Sequence, residues 1–433
     1  MHDLNSKRDR RLFLKAGALM AASAATATRV SAQQQSFDEK LSVGIIGVNG
    51  RGSAIAKTVL STDRAVITHV CDVDQNVAQR ARKLIGEKQS TTPESIGDIR
   101  KLLDNKNLDA VFVATPNHWH APAAIMACAA GKHVYVEKPC SHNPAEGEWT
   151  IEAARSNERV VQTGTQRRSW SALMDGARKL QDGAIGEILY ARCWYNNRRS
   201  NIGNGTVTQP PATLDWDLWQ GPAPRRDYRD NLVHYKWHWH WHWGNGELGN
   251  NGVHGLDLAR WGTGLTYPKR VTASGGKYRH KDSQQTPDTM IVCFDYPNGK
   301  TITWEGLSWS PHGSDDSRFG VSFHGTEGTM VMRSTGYSLF DMQDKEKETV
   351  NGKADDRAHI DNFFDCIRSG ERPNADIQIG HDSALLCHLG NIAYRVQSEL
   401  EIDPENGHII GNEDANAYWQ REYEPGWEPL GVE

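Results

Sequence analysis

Short apolar runs that close on a glycine or a polar residue alternate with helix-period stretches through the first third of the chain. Residues 41–46 read Leu-Ser-Val-Gly-Ile-Ile before Gly47, and a helical stretch follows from 50 to about 60. Further strand-like runs fall at 65–71, 110–114, 133–136 and 160–163, with helical stretches at 75–85, 119–130 and between the last two strands. Apolar strands that alternate with helices predict βαβ units around a parallel sheet buried on both faces. From about residue 186 the rhythm changes. Strand-like segments follow one another at 187–195, 270–275, 289–296, 301–307, 318–324 and 329–333, with hairpin turns at Tyr296-Pro297-Asn298-Gly299-Lys300 and His324-Gly325-Thr326-Glu327-Gly328. Consecutive strands predict a large, mostly antiparallel sheet, closed by helices at 358–368 and 380–400. After Pro404 the chain reads as a polar, irregular tail.

Charge divides the chain. Its formal net charge is −5, yet residues 1–32 carry six Lys/Arg against two Asp, which leaves −9 on the remainder. A mildly acidic body offers no broad basic surface for nucleic acid. Asp9-Arg10-Arg11-Leu12-Phe13-Leu14-Lys15 is similar to a twin-arginine export signal, with Asp9 where Ser or Thr is usual. A mild apolar run at 16–27 follows, too short to span a bilayer, then Val30-Ser31-Ala32 as a cleavage site, with Ala25-Thr26-Ala27 competing. The expected product is periplasmic, with no membrane insertion after signal removal. The seven cysteines are odd in number, widely spaced and free of any CxxC pair, which predicts buried free thiols.

Gly47-Val48-Asn49-Gly50-Arg51-Gly52 sits where the first strand meets the first helix, a GxGxxG-like turn with Asn49 in the second glycine slot. Such a turn lets backbone amides and the helix N-terminus approach a pyrophosphate. Asp72 closes the second strand. A carboxylate there accepts from the adenosine ribose hydroxyls and repels a 2′-phosphate, which favours NAD over NADP. The expected fold is therefore α/β: an N-terminal Rossmann domain (41–165) behind a signal peptide (1–32) and a linker (33–40), then a C-terminal α+β domain (166–403) with a large mostly antiparallel sheet, and a tail (404–433). Two more segments fall at the C-terminal edge of the parallel sheet, where ligands bind in such folds. One is Thr115-Pro116-Asn117-His118-Trp119-His120, the other Glu137-Lys138-Pro139. A lysine at that edge can hold a substrate hydroxyl and stabilise a forming alkoxide.

These motifs, with the 246–260 stretch, resemble the glucose–fructose oxidoreductase / inositol dehydrogenase (Gfo/Idh/MocA) family across most of residues 40–400. The resemblance implies that Lys138 contacts substrate and nicotinamide. It also implies that a helix of the second domain supplies an Asp and, four residues later, an acid/base His. Gly252-Val253-His254 matches the family's Gly-x-His, so His254 is the expected base; Asn250 stands where the Asp would be, and Gly255 where a further Asp is common. Oxidising a secondary alcohol needs a proton acceptor near the hydroxyl while hydride leaves the same carbon, and His suits that task. Thr115, Pro116, Asn117, His120 and Glu137 join the glycine turn and Asp72 as expected cofactor contacts.

Tyr235-Lys236-Trp237-His238-Trp239-His240-Trp241-His242-Trp243 alternates strictly, and as a strand it would separate its Trp from its His. A sugar-binding wall, a packed structural or oligomer face, and a metal site from His238 and His240 remain open, with no metal expected overall. Tyr195, His238, Trp239 and Asn250 are taken with Lys138 and His254 as substrate contacts. A homo-oligomer is expected. An exported enzyme meets no nicotinamide pool, so a tightly held NAD must be regenerated in place. A two-substrate sugar oxidoreductase does this; so does a redox-neutral glycosidase or lyase that passes through a transient keto sugar. A non-catalytic NAD- or sugar-binding protein is the third reading, which Asn250 supports.

Overall fold

Aliphatic and β-branched residues between 41 and 163 form six strands: β1 (Leu41–Ile46), β2 (Ala65–Cys71), β3 (Glu94–Ile96), β4 (Ala110–Val113), β5 (His133–Val136) and β6 (Val161–Thr163). The computed structural model describes residues 39–429; the expected signal peptide and most of the linker lie outside them. The six strands are all parallel in the order β3-β2-β1-β4-β5-β6. Every residue of β4 is buried, as a strand covered on both faces requires. The connecting helices are α1 (Arg51–Thr62), α2 (Gln75–Gly86), α3 (Ile99–Leu103), α4 (Asn117–Ala129) and α5 (Pro144–Ser156). The Asp74 side chain caps α2, and Asn143 caps α5 with Pro144 at its first position. Strand order reverses between β1 and β4, so the loops at their C-terminal ends part and leave a crevice.

The second sheet has ten strands: β7 (Ile188–Asn196), β8 (Arg270–Gly276), β9 (Thr289–Asp295), β10 (Thr301–Leu307), β11 (Phe319–Gly325), β12 (Gly328–Met332), β13 (Tyr337–Asp341), β14 (Glu346–Val350), β15 (Leu400–Ile402) and β16 (Ile409–Ile410). Their order is β14-β13-β12-β11-β7-β10-β9-β8-β15-β16, antiparallel except for the β7–β10 pair. Helices α6 (Ser171–Gln181), α7 (Trp216–Gln220), α8 (Val253–Thr263), α9 (Asp356–Ser369), α10 (Ile377–Val396) and α11 (Glu413–Asn416) complete the chain. Leu173, Leu256 and Leu386, from α6, α8 and α10, bury one face of this sheet over Trp304, Phe294 and Phe323. The opposite face is half-exposed, which gives β10 its strict alternation of burial.

Two expectations fail. The 237–243 segment is no strand: residues Lys236–Trp239 form a 3₁₀ turn and the chain then loops. His238 stacks on Trp237 at 3.6 Å, which neighbours on a strand cannot do because they point to opposite faces. The last long helix stops at Val396, and residues expected as its end form β15. The irregular tail is pinned to the body through residues 421–427. Arg421 donates to the His118 carbonyl (2.9 Å), Tyr423 to Glu146 (2.9 Å), and Trp427 packs edge-on against Trp119.

Candidate active site

The turn after β1 is built for close approach. Gly47 has φ 77°, and a Cβ there would lie 2.8 Å from the Ala114 carbonyl oxygen. A Cβ on Gly52 would lie 1.9 Å from the Gly47 oxygen, so this helix-to-turn contact admits only glycine. No side chain caps α1; the Gly52 amide turns back to the Asn49 carbonyl (3.0 Å), and the positive end of the helix dipole is left for an anion. Asp72 accepts from Val48 N (2.9 Å) and Asp74 N (3.0 Å) and so braces the turn. Burial raises its pKa against those two bonds. A cleft of about 520 Å³ runs from this turn to the second domain. Gly47, Asn49, Gly50, Arg51, Asp72, Thr115, Pro116, Asn117, His120, Glu137, Lys138, His238, Asn250 and His254 all border it. Thr115 Oγ1 and His254 Nδ1 are buried there without a hydrogen-bond partner. An uncapped helix start, a glycine turn and two orphaned polar atoms suit a dinucleotide.

At the second-domain end, His120 lies between the Thr115 (2.8 Å) and Pro139 (2.6 Å) carbonyl oxygens and ties the two edge segments together. Glu137 does not pair with the Lys138 side chain. It takes Arg51 Nε at 2.7 Å, and Arg51 reaches on to Asp356 at 2.9 Å. Burial pushes the Glu137 carboxyl up, but the Arg51 and Lys138 charges outweigh it and hold it below the usual range. Lys138 Nζ donates to the Asn250 carbonyl (2.6 Å) and to its side-chain Oδ1 (3.1 Å). Burial brings its pKa down to about 8, against the pull of Glu137 and Glu247. His254 opens α8 directly after a π-helical turn, Leu248–Gly252. Burial, with the Arg167, Lys138 and Arg51 charges, drives its pKa well below the usual imidazole range. The site therefore sets an ammonium beside a neutral imidazole.

A long excursion between β7 and α8 roofs the other end. Gln75 N donates to Thr213 O (2.9 Å), Asp215 N donates to Val73 O (3.0 Å), and His234 Nε2 meets Asp74 at 3.1 Å. Leu214 and His234 thereby border the Asp72 side of the cleft, and Leu218, Trp219 and Trp237 of the same excursion line it too. Trp219, Tyr228, Trp237 and Trp243 give this roof its own small core, with Trp216 stacked on Trp219 at 4.7 Å.

A family model described as the NAD-binding Rossmann fold of an oxidoreductase family matches residues 41–165, and that family's C-terminal alpha/beta domain matches residues 193–428. The chain belongs to the Gfo/Idh/MocA oxidoreductase family. Its first domain is that family's NAD-binding Rossmann fold. This Gfo/Idh/MocA chain is 25% identical to a levoglucosan dehydrogenase from Pseudarthrobacter phenanthrenivorans over 320 residues, 68% of this chain and 73% of that protein. It is 32% identical to a glycosyl hydrolase family 109 protein from a Shewanella species, over 43% of this chain and 46% of that one. The solved structure of a levoglucosan dehydrogenase with NADH and levoglucosan shares its fold, at TM-score 0.66 and 21% identity, over 84% of this chain and 99% of that one.

Some expected contacts of the Gfo/Idh/MocA site lie elsewhere. Gly52 packs beneath the turn rather than bordering the cleft. Trp239 lies under the Arg199 guanidinium (4.7 Å), and Tyr195 accepts from Asn197 (2.7 Å); neither borders the cleft. His240 faces an outer groove, away from His238, and no group of three or more metal-ligating side chains forms among the described residues. Three participants escaped the motif reading: Arg167, Glu247 and Trp219. Arg167 stacks on Phe319 (4.2 Å) and Trp170 (5.2 Å) with no carboxylate partner among the described residues, and burial lowers its pKa to about 10. Its position one residue after Gln166, just beyond β6, lies on the same sheet edge as Lys138. That edge rule was the available signal.

Proposed function

We propose that this enzyme oxidises a hydroxyl of a sugar or sugar derivative while keeping its NAD through turnover, and that it works in the periplasm after twin-arginine export. The convergence of Lys138 and His254 carries this reading. Two of the Lys138 protons go to Asn250, and the third is free for a substrate oxygen. That ammonium stabilises the alkoxide as it forms, while the neutral imidazole of His254 takes the hydroxyl proton. NAD, when bound, supplies the hydride acceptor. Similarity to a levoglucosan dehydrogenase supports a sugar, and the aromatic rims of Tyr235 and Trp237 suit the apolar face of one. The roof over the Asp72 side supports retention of the cofactor.

Relatives named for a glycosidase family favour a second scheme, in which oxidation is transient and the hydride returns to the same sugar. Protein purified without added nucleotide is denatured, and the released material is analysed by absorbance and mass. The intact enzyme is then given sugars and aryl glycosides with no NAD added. One equivalent of reduced nicotinamide, restarting with a carbonyl acceptor, marks the two-substrate oxidoreductase. Many turnovers without net reduction mark the redox-neutral scheme. Strict need for added NAD overturns retention. Replacing Arg10 and Arg11 by Lys should hold the protein inside the cell, which fractionation reads. Assembly as a homo-oligomer, through the half-exposed face of the second sheet, is tested by light scattering.

A further inference from the structure

The amide of Asn250 stands between an ammonium and a buried carboxylate. Lys138 Nζ binds its oxygen at 3.1 Å, and its Nδ2 donates to Glu247 Oε1 at 3.4 Å. Glu247 is 6% exposed. Arg199 clamps it through Nε and through Nη2 (3.1 Å), and Asn251 Nδ2 donates to the same Oε1. An asparagine amide has a donor end and an acceptor end. Turned over, it would point its NH₂ at the Lys138 ammonium. Glu247 supplies the acceptor that forbids this. We propose that Glu247 is a positioning residue that aims Lys138 through the Asn250 amide and lends the site the negative charge that Asn250 lacks.

The surrounding charges leave that role open to Glu247. Lys138 is faced by two carboxylates, Glu137 and Glu247, by the guanidinium groups of Arg51 and Arg167, and by three imidazoles, those of His120, His238 and His254. Glu137 is committed to Arg51 at 2.7 Å. Glu247 sits on the second-domain side, where the aiming amide is, and the π-helical turn sets the Asn250 carbonyl and side-chain oxygen on the same ammonium. Arg199 balances Glu247, so the two charges should move Lys138 in opposite directions when each is removed.

The proposal rests on Lys138 acting in the reaction, but its first test needs no substrate. Competitive acetylation across a pH series, read by peptide mass spectrometry on the cofactor-loaded protein, reports the midpoint at which Lys138 loses its proton. Glu247→Gln, nearly isosteric, should lower that midpoint by roughly half a unit or more. Arg199→Met should raise it. Midpoints unchanged in both variants overturn the proposal. Aim is tested with a sugar that turns over. Glu247→Ala should lose about tenfold in kcat with little change in KM. The Glu247→Ala, Asn250→Asp double variant should stay within about threefold of Asn250→Asp alone, because a carboxylate presents oxygen either way up. An equal loss from Glu247→Ala in both backgrounds overturns the aiming role. If labelling shifts as stated and no sugar is oxidised, the failure belongs to the proposed function instead.

Discussion

Burial acts alike on Lys138 and His254 and makes them complementary. Both lose stability as cations, so the lysine titrates at about 8 and the histidine stays neutral far below its usual range. Rate should therefore be flat from about pH 6 to 7.5 and fall above about pH 8, as Lys138 loses the proton it donates; no acid limb near 6.5 should arise from His254. A pH series of kcat/KM with a turned-over sugar checks both limbs. Lys138→Met and His254→Ala should each cost roughly a hundredfold in turnover while bound NAD is unchanged. Asp72→Ser should weaken NAD and favour NADP, measured by calorimetry on stripped protein. Lys138, His254 and Asp72 were legible because each ends a recognisable strand or motif. Glu247 and Arg167 were not, since what marks them is which charges do and do not find partners, and that exists only after folding.

Helices and turns make different demands on their residues. At Gly52 the obstacle is a backbone oxygen 1.9 Å from where a Cβ would lie, and no rotamer change relieves it. Gly52→Ala should destabilise by at least about 1–3 kcal/mol and lose NAD, read by denaturant melts and released nucleotide. Asp74 has two duties, capping α2 through Asn76 N (2.9 Å) and meeting His234 of the roof. Asp74→Ala should cost about 1 kcal/mol and speed NAD release, whereas His234→Ala should speed release alone. The parallel strands were legible because continuous apolar runs have few other uses. The Trp/His segment was not. Its period of two looked like a strand, but the segment joins neither sheet, and its tryptophans part: Trp237 and Trp243 enter the small core of the roof, whereas Trp239 lies under Arg199.

Residues 40–429 interlock beyond what domain-sized segments suggest. Ile360, Phe363 and Phe364 of α9 lie in the core of the first sheet, as do Ile377 and Ala384 of α10 on its other side. The tail returns as well: Glu146, fully buried, takes Arg421, Tyr423 and the His142 amide. Arg421→Met leaves that carboxylate without its counter-charge and should destabilise by about 3 kcal/mol or more, seen as a shifted denaturant midpoint with unchanged slope. The second sheet was legible from hairpin turns and alternation. The tail was not, because its grip depends on three irregularly spaced anchors, Arg421, Tyr423 and Trp427, and no periodic pattern announces them.

The placement of Phe363 and Phe364 sets an order on synthesis. A ribosome delivers the glycine turn and all six strands of the first sheet long before these two phenylalanines, which close one face of that sheet around Phe112 at 5.6 and 6.1 Å. Until then the early half carries an open apolar face, a state that invites chaperones rather than independent folding. The nucleotide site, first to be made, is thus among the last parts of the molecule to be finished.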